Sequence, residues 1–532
     1  MKHLTKNRLI LLVSAFFILF YNYTFFHNTL KVYPLNETNI WFLASIVVLL
    51  FSLTAFVLTL FASRWTTKPM LIVLVLVSSM TAYFMNTYNV VIDDSMIRNT
   101  LQTDMKESMD LFSIKQVLYV IFLGLLPAYV IYKMPIRYAS YKTEFIAKLK
   151  QLLTLLTFIG LIVFLFFKPY ASFVREHKPL RFTVNPLYWI YSLGHYSYAT
   201  FNSGEIVVKP IGKDAKIIKK ERDMPKIVIL VVGEATRADH LSLNWYKRET
   251  TPQLKKEGII NFPNVYSCGT STAASVPCMF SVYDKADYSY KKGISTENVL
   301  DVLKHTNDVS ILWRDNNSDS KGVALRVAYE NYKNSTNNTK CTPEGECRDE
   351  GMLVGLDSYI KAQKGKDILI VLHQMGNHGP AYYKRYPKAF EKYTPVCETN
   401  QLEECTREEI NNAYDNAILY TDDFLTKTIG LLKKYGNSYK TAMIYLSDHG
   451  ESLGEKGIYL HGLPYFMAPD AQTHIAALMW MNVPFKNDFN LSTIDTDKKW
   501  TQDYLFHSLL RLFNVQTKVY DPKLDMFNNA SN

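Results

Sequence analysis

The stretch KIVILVVGE, residues 226–234, is the clearest indication of the fold of the larger part of this chain. After Lys226, six consecutive apolar residues, most of them β-branched, end at Gly233-Glu234. Apolar runs of this length without polar alternation are typical of strands that are covered on both faces, as in parallel α/β sheets. The stretch therefore predicts a central strand of an α/β domain.

Three further runs of this kind lie downstream, and helical patterns separate them. They are Val309–Trp313, Asp367–Leu372 and Thr441–Leu446, and polar residues follow each one. Because ligands of α/β sheets collect beyond the carboxyl ends of the strands, we expect a functional site at these ends. Residues 214–532 are long enough to form one large domain with a full core.

Two of the predicted strand ends carry residues that suit a metal ion. Glu234 follows the first strand, and Asp448-His449 follow the last. Each has a plain structural explanation when it is taken alone, as a helix N-cap region or as turn chemistry. Together, two carboxylates and an imidazole form a ligand set for zinc or manganese and leave one position open for a nucleophile.

A candidate for that nucleophile lies in the small-residue loop SCGTSTAAS, residues 267–275. Small residues that open a helix expose backbone N–H groups to an anion. A divalent cation lowers the pKa of a hydroxyl that it binds, so no adjacent general base is required. The spacing leaves Thr270, Ser271, Thr272 and Ser275 as candidates, and a loop that is merely pinned by a disulfide is the plainer alternative.

Charge and hydropathy divide the chain into two unlike parts. Of the net charge of +10, residues 1–213 contribute 20 Lys/Arg against 9 Asp/Glu, so the remainder is nearly neutral. This pattern excludes a disordered chain and a uniformly basic nucleic-acid binder. Five apolar runs lie in the first part, at Leu9–Phe26, Trp41–Ser63, Met70–Met85, Gln116–Tyr132 and Leu152–Phe167.

These runs predict a transmembrane domain of five helices within residues 1–168. A bilayer core about 30 Å thick needs roughly 20 apolar residues in a helix, and flanking residues extend the shorter runs to that length. The first run begins after basic residues, as a signal peptide would. We expect it to be retained, because no small-residue cleavage site follows it and four more runs do.

The loops between the runs predict the orientation in the membrane. Lysine and arginine precede the first run and fill the loops after the second and fourth, a pattern typical of the cytoplasmic side. The alternate loops contain Glu37, Asp93, Asp94, Asp104, Glu107 and Asp110. We therefore expect a cytoplasmic N-terminus and export of residues 214–532. The aromatic-rich segment 169–213 is either a bridge on the outer leaflet or a core segment of the exported domain.

All six cysteines lie in the part that is predicted to be exported. They form three local couples, Cys268 with Cys278, Cys341 with Cys347, and Cys397 with Cys405. An oxidising compartment would keep such couples closed as disulfides. The alternative, a cysteine-rich zinc cluster, lacks any Cys-x-x-Cys spacing.

Several sequence blocks resemble the membrane-anchored phosphoethanolamine transferases of Gram-negative bacteria that modify lipid A, including the mobile colistin-resistance enzymes. The blocks are VVGEATRADHLSLNWY (231–246), SCGTSTAASVPCMFS (267–281), WRDNNSDSKG (313–322), HGPAYYKRYP (378–387) and YLSDHGESLGEKGIYLHGLPY (445–465). The resemblance implies an alkaline-phosphatase-like or sulfatase-like catalytic domain in the periplasm, anchored in the inner membrane by a multi-pass domain.

The resemblance also implies roles for individual residues. One zinc would be held by Glu234, Thr272, Asp448 and His449, with Thr272 as the nucleophile. A second zinc or the substrate phosphate would be handled by His378 and His461. Contacts to the lipid headgroup would come from Ser318, Lys321, Asn99, Thr103 and Glu107. The last three recur every four residues, which places them on one helical face, and a solvated polar face is the alternative for them.

The activity that the resemblance implies is a two-step transfer. Phosphoethanolamine would pass from phosphatidylethanolamine to Thr272 and then to a lipid A phosphate. The product would carry less negative charge and would confer polymyxin and colistin resistance. Alternatives are transfer to a core sugar of lipopolysaccharide, a metal-dependent hydrolase or phosphoglycerol transferase of the same superfamily, and a non-catalytic lipid-binding receptor.

Overall fold

The computed structural model describes residues 4–103, 105–201, 206–219 and 223–528, without the side chains of residues 105–107. It divides the chain into two compact units. The first unit comprises Met1–Ile97 and Phe112–Thr200, and the second comprises Arg98–Leu111 and Phe201–Asn532. The division differs from linear boundaries at residues 168 and 213, because the short segment Arg98–Leu111 is grouped with the second unit.

Helices dominate the described residues up to Phe201. They are α1 Lys6–Tyr21, α2 Tyr23–Val32, α3 Ile40–Phe61, α4 Thr67–Tyr88, α5 Asp94–Gln102, α6 Met105–Asp110, α7 Ile114–Tyr119, α8 Leu126–Lys133, α9 Tyr141–Leu165, α10 Phe167–Glu176, α11 Lys178–Arg181 and α12 Leu187–Phe201. A π-helical turn, Val120–Leu125, joins α7 to α8. The two-residue strands Leu4–Thr5 and Ile136–Arg137 pair in parallel.

Four of these elements are long and apolar enough to cross a bilayer, namely α3, α4, α7 with α8, and α9. The first predicted run is instead a pair of helices, α1 and α2, bent by 62°. The bend occurs at Asn22, whose buried side-chain amide donates to the carbonyls of Phe17 and Asn185 at 3.0 and 2.6 Å. The described helices therefore supply four spans, or five if the bent pair counts as one.

The segment that follows α9 packs within the first unit. Tyr170 and Phe173 of α10 join a buried apolar cluster with Phe42 of α3. The Tyr170 hydroxyl also lies 3.0 Å from Ser45 Oγ. Up to Thr200, the segment is grouped with the first unit.

The second unit is built on a seven-stranded sheet. Its strands are β1 Lys226–Gly233, β2 Ile260–Asn261, β3 Val309–Asp315, β4 Ala328–Asn331, β5 Asp367–His373, β6 Lys440–Ser447 and β7 Ala477–Met481. They lie in the order β2-β7-β6-β1-β5-β3-β4, and pairing is parallel from β6 to β4 and antiparallel at β7 and β2. The four strands that the sequence predicts are confirmed, each one or two residues longer than the predicted run.

Burial explains why these runs lack polar alternation. All eight residues of β1 and all seven of β5 are buried. Alternate side chains of a strand point to opposite faces, so both faces of the sheet centre are covered. One face of β1 shares a core with the helices Val299–His305 and Tyr504–Leu512, through Val228, Leu230, Val232, Leu300, Leu303, Leu509 and Leu510.

The remaining helices of the second unit surround this sheet. They are α13 Thr272–Met279, α14 Tyr290–Ile294, α15 Val299–His305, α16 Leu356–Ala362, α17 Arg407–Lys433, α18 Asp470–Thr473, α19 Val483–Lys486 and α20 Tyr504–Leu512. Small strand pairs complete the unit, at Ser452–Leu453 with Tyr459–Leu460, and at Lys216–Ile217 with Val515–Gln516. A three-stranded sheet contains His474–Ile475, Val265–Tyr266 and Trp500–Thr501.

The three cysteine couples are closed as disulfides, as the sequence predicts. The bonds are Cys268–Cys278, Cys341–Cys347 and Cys397–Cys405. All six cysteines are consumed by these bonds, so the alternative of a cysteine-rich zinc cluster is wrong.

Candidate active site

Strand register brings the two predicted carboxylates together. Gly233, the last residue of β1, is the register partner of Ser447, the last residue of β6. Glu234 and Asp448 each come directly after these partners. Neighbouring parallel strands lie about 4.8 Å apart, so side chains that leave them at the same level face one another. Both residues are fully buried.

Four side chains, Glu234, Thr272, Asp448 and His449, converge there and are called the ligand cluster below. His449 Nε2 lies 3.3 Å from Glu234 Oε1 and 3.4 Å from Asp448 Oδ2. The same nitrogen is 3.4 Å from Thr272 Oγ1, and the Thr272 hydroxyl donates to Glu234 Oε2 at 3.0 Å. The structure thus brings together all four residues that the resemblance implies as zinc ligands.

The ligand cluster has the dimensions of a tetrahedral metal site. Zinc binds nitrogen and oxygen ligands at about 2.0–2.2 Å, which sets tetrahedral ligand–ligand separations near 3.4 Å. The observed separations from His449 Nε2, 3.3–3.4 Å, match that value. Glu234 Oε1 and Asp448 Oδ2 make no hydrogen bond to any described residue, although both are buried. Buried anionic oxygens of this kind are rarely left without a partner, and a cation would supply it.

Two further observations fit a metal ligand set. His449 Nδ1 lies 2.8 Å from the carbonyl of Gly450, which fixes the proton on Nδ1 and leaves the Nε2 lone pair facing the cluster. Burial and the neighbouring Asp448 carboxylate raise the pKa of Glu234. Two buried carboxylates that repel each other in this way are stabilised in their ionised forms when a cation lies between them.

Helix α13 begins at Thr272 and directs its side chain into the ligand cluster. The other candidate hydroxyls have different environments. Thr270 Oγ1 donates to the Leu463 carbonyl at 2.6 Å, and Ser275 Oγ accepts the backbone N–H of Gly269 at 2.9 Å. Ser271 is the N-cap residue of α13, and its side chain makes no capping hydrogen bond. Of the four candidates, Thr272 is therefore the one in hydrogen-bond contact with the ligand cluster.

The histidine pair, His378 and His461, lies beside the ligand cluster. The ring centroids of His461 and His449 are 4.2 Å apart, and those of His461 and His378 are 5.8 Å apart. His461 has a ring nitrogen that lies with ligand atoms of Glu234 and His449 in a group spanning at most 4.8 Å. His461 is thus close enough to share an ion with the ligand cluster.

A buried carboxylate orients His461. His461 Nδ1 lies 2.8 Å from Glu451 Oε2, and the Tyr382 hydroxyl donates to Glu451 Oε1 at 2.8 Å. Burial raises the pKa of Glu451 to about 7, although His449 and the Tyr382 hydroxyl act in the opposite direction. The Glu451 contact keeps the proton on Nδ1 of His461 and turns Nε2 away from Glu451.

The Asp349 carboxylate and the Glu234 carbonyl hold the backbone of the turn before His378. Asp349 accepts the N–H groups of Met375 and Gly376 at 2.8 and 3.0 Å. Gly376 has φ of 49°, and a Cβ there would lie 3.0 Å from the Glu234 carbonyl oxygen. The Asn377 N–H also donates to that carbonyl, at 3.1 Å. The turn therefore needs glycine, and its position is tied to Glu234.

In the block after β3, Asn317, which the sequence analysis did not single out, contacts Glu234, and the predicted residue Ser318 contacts Asn317. The side-chain amide of Asn317 donates to Glu234 Oε2 and to the Gln374 carbonyl, both at 2.8 Å. Ser318 is half-buried, and its hydroxyl donates to Asn317 Oδ1 at 3.0 Å. Lys321 is buried to 7% exposure, and its Nζ lies 3.5 Å from the Gln102 carbonyl.

The predicted stripe Asn99, Thr103 and Glu107 lies in the segment Arg98–Leu111 of the second unit. It is not one continuous helical face, because α5 ends at Gln102 and α6 begins at Met105. The Thr103 hydroxyl donates to the Asn99 carbonyl at 2.8 Å, a bond that competes with continuation of a helix. The side chain of Glu107 lies outside the described residues.

Sequence reasoning missed Asn317, Glu451 and a buried pair behind the site. His373, the last residue of β5, lies 2.9 Å from Asp315 Oδ2 through Nδ1. Burial lowers the pKa of His373, but Asp315 outweighs it and the pKa is raised overall. All of these residues belong to the predicted strand ends or to the block DHGES, so their positions were a usable signal. Their partners could not be predicted, because Asn317 lies 83 positions from Glu234 and His373 lies 58 positions from Asp315.

Two family models match the chain. A model described as phosphoethanolamine transferase EptA/EptB matches residues 50–201, and a sulfatase model matches residues 226–515. Among individual relatives, phosphatidylethanolamine transferase Mcr-1 from Escherichia coli is 44% identical over 513 residues, with 94% of each chain covered. Phosphoethanolamine transferase EptA from Escherichia coli strain K12 is 38% identical over 527 residues, which cover 97% of this chain and 95% of the relative.

A solved structure is similar over the whole length. It is the integral membrane protein lipooligosaccharide phosphoethanolamine transferase A (EptA) from Neisseria meningitidis, with a TM-score of 0.96, 34% identity and 100% coverage of both chains. In both of its units, the chain is therefore similar to phosphoethanolamine transferases.

Proposed function

This chain belongs to the phosphoethanolamine transferase family, and from that premise we propose that it transfers phosphoethanolamine from phosphatidylethanolamine to a phosphate of lipid A. The observation that carries the proposal is the contact of Thr272 Oγ1 with Glu234 and His449. A nucleophilic hydroxyl that shares a ligand set with two buried carboxylates suits phosphoryl transfer.

Zinc is the cation that fits this ligand set best. Glu234, Thr272, Asp448 and His449 would hold one ion, and a second could bind beside His378 and His461. When bound, a cation lowers the pKa of the Thr272 hydroxyl and offsets negative charge on a phosphoryl group.

The reaction runs through Thr272 in two displacements. In the first, Thr272 Oγ1 bonds to the phosphorus of phosphatidylethanolamine and the bond to the glycerol oxygen breaks. The proton of the Thr272 hydroxyl leaves, and the departing diacylglycerol gains one. In the second, a lipid A phosphate oxygen bonds to the phosphorus, and Thr272 Oγ1 is released and regains a proton. Covalent catalysis of this kind divides one hard displacement into two.

Other groups of the chain orient the substrate and offset the negative charge of its phosphoryl oxygens. The backbone N–H groups at the start of α13 and the Lys321 ammonium supply positive charge for the equatorial phosphoryl oxygens. Asn99, Thr103 and Glu107 are proposed to contact the ethanolamine and phosphate. Ser318 is proposed to contact the headgroup beside Lys321.

We propose that the first unit anchors the enzyme in the inner membrane, with a cytoplasmic N-terminus and the second unit in the periplasm. The basic loops after the second and fourth runs support this orientation. Donor and acceptor are then lipids of the same membrane surface, so holding the site at that surface raises their encounter rate.

The expected product explains a biological effect. Capping a lipid A phosphate with a cationic amine lowers its negative charge, so cationic peptides such as polymyxin and colistin bind it less tightly. The chain is therefore expected to confer resistance to them.

A lipid A mass spectrum tests the proposal. Cells that express the chain should contain lipid A heavier by one phosphoethanolamine group, and cells that express Thr272→Val should not. Finding the group on a core sugar instead would support the lipopolysaccharide-core alternative. Finding release of a free headgroup would support a hydrolase, and finding no turnover with phospholipid still bound would support a non-catalytic receptor.

A further inference from the structure

Arg385 is a buried cation that holds the backbone of His378. Its side chain is 2% exposed. The Nε–H group donates to the His378 carbonyl at 2.7 Å, and Nη1 lies 2.6 Å from Glu346 Oε1. The third contact, from Nη2, goes to Asp110 Oδ2 at 2.7 Å. Each nitrogen of the guanidinium therefore has a partner.

Asp110 comes from α6, far from Arg385 in sequence. It lies in the segment between the third and fourth apolar runs, which the structure groups with the second unit. Its carboxylate also binds Lys384 Nζ at 2.6 Å, and its carbonyl accepts the side-chain amide of Asn400 at 2.5 Å. Burial raises the pKa of Asp110, but Arg385 and Lys384 outweigh it, so the pKa is held below its usual range.

The charges in this group balance. Two carboxylates, Asp110 and Glu346, face two cations, Arg385 and Lys384. The two carboxylates are each 10% exposed, so neither is well solvated. Loss of one partner from a buried ion group is strongly unfavourable, because part of the remaining charge is then uncompensated. Without Asp110, the two cations face the single carboxylate of Glu346, so we expect the Arg385 side chain to shift away from the His378 carbonyl.

The other end of the same segment is also fixed within the second unit. The Arg98 guanidinium lies 3.9 Å from the ring centroid of Tyr290, and the Gln102 amide donates to the Tyr290 hydroxyl at 3.3 Å. The Gln102 carbonyl accepts from Lys321 Nζ at 3.5 Å. The segment thus touches Lys321 near one end and, through Arg385, His378 near the other.

We propose that Arg385 is a positioning residue for His378, and that Asp110, supplied by the segment Arg98–Leu111, keeps Arg385 in place. The segment is then a working part of the catalytic site as well as a connection between membrane spans. The activity arm of the test rests on the proposed function, and the reactivity arm does not.

The reactivity arm measures His378 directly. His378 is 7% exposed, so its ring should react slowly with diethyl pyrocarbonate. In full-length protein in detergent, Asp110→Asn should raise the rate of His378 modification several-fold, as read by peptide mass spectrometry. His305, which binds Glu297, serves as an internal reference that should not change.

Lys384→Met is the matched control. Lys384 binds the same carboxylate, but its side chain is 39% exposed and makes no contact with His378 that the structure describes. It should leave the His378 rate nearly unchanged. Because Asp110 is proposed to act through Arg385, Asp110→Asn should add little to the effect of Arg385→Lys, as neighbouring sites in one network do. Additive effects would contradict the proposal.

The activity arm separates positioning from general damage. With unchanged melting temperature, Asp110→Asn should lower kcat for phosphoethanolamine transfer by about 10- to 100-fold with a smaller change in KM. Asp110→Glu should restore part of the loss. Unchanged His378 reactivity in both Asp110→Asn and Arg385→Lys would overturn the inference, whereas failure of the wild-type chain to transfer phosphoethanolamine would overturn only the proposed function.

Discussion

The ligand cluster and the histidine pair lie side by side, but different parts of the fold hold them. Glu234 and Asp448 leave two neighbouring parallel strands at the same register level, so the central sheet fixes their positions. His378 and His461 lie on loops, and side-chain contacts fix them, namely those of Glu451, Asp349 and Arg385.

This difference has consequences for robustness. A strand end is fixed by main-chain hydrogen bonds, which no single side-chain substitution removes. A loop residue is fixed by a few side-chain contacts, each of which one substitution can break. We therefore expect substitutions in the ligand cluster to change metal binding or the nucleophile directly. Substitutions around the histidine pair should instead change the position or orientation of the two imidazole rings.

The largest effect should come from removing the nucleophile. Thr272→Val keeps the β-branched shape but loses the oxygen that contacts Glu234 and His449, so transfer should fall by about 10³-fold or more. Ser271→Ala, one residue earlier, should be mild because that hydroxyl makes no capping bond. Lipid A mass spectrometry with matched expression levels measures both. A severe Ser271→Ala together with an active Thr272→Val would reassign the nucleophile.

Breaking the ligand cluster itself should release metal. Asp448→Asn neutralises the buried oxygen that lacks a hydrogen-bond partner, so zinc affinity should fall by more than the roughly 10- to 100-fold typical of an orienting residue. Competition with a zinc-sensitive chelator measures this. Asp415→Asn is the control, because Asp415 is equally buried but binds His240 and Arg248 instead. Equal affinity of wild type and Asp448→Asn would remove Asp448 from the ligand set.

Loosening the histidine pair should have an intermediate effect. Glu451→Leu removes the acceptor of His461 Nδ1, and we expect a loss of about 10- to 100-fold in transfer or metal affinity. Glu451→Gln should retain part of the function, because its side-chain oxygen can still accept from Nδ1. Tyr382→Phe removes the other partner of Glu451 and leaves His461 oriented, so it should cost less. If it cost more than Glu451→Leu, the contact with His461 would not be the important one.

The smallest effect on activity is expected from Asn317, which lies between the ligand cluster and the turn that leads to His378. Asn317→Ala loses the amide that joins Glu234 Oε2 to the Gln374 carbonyl, and kcat/KM should fall several-fold. Asn317→Asp should be worse than Asn317→Ala, since it places a third carboxylate beside Glu234. Steady-state kinetics on both variants measures the order. The reverse order would mean that the amide contributes only packing.

Sequence reasoning anticipated the elements of this protein better than their connections. The apolar runs predicted four central strands and most of the apolar helices, because an element that is surrounded by apolar groups consists of consecutive apolar residues. It placed the first span as one helix, whereas Asn22 bends it through bonds to Asn185, a residue far along the chain. It also treated Asn99, Thr103 and Glu107 as one helical face, which the break between α5 and α6 interrupts.

The sequence was sufficient to predict the α/β class of the second unit, the three disulfides, and the residues that strand ends bring to the site. These follow from local patterns, since a buried strand is apolar along its length and a polar residue ends it. The three-dimensional fold was needed to show that Thr272 contacts Glu234 and His449, that Glu451 orients His461, and that Asp110 binds Arg385. Glu451 and His461 are ten residues apart, and the other contacts join residues that are much farther apart. A hydrogen bond or an ion pair gives no periodic sequence pattern from which such a contact could be predicted.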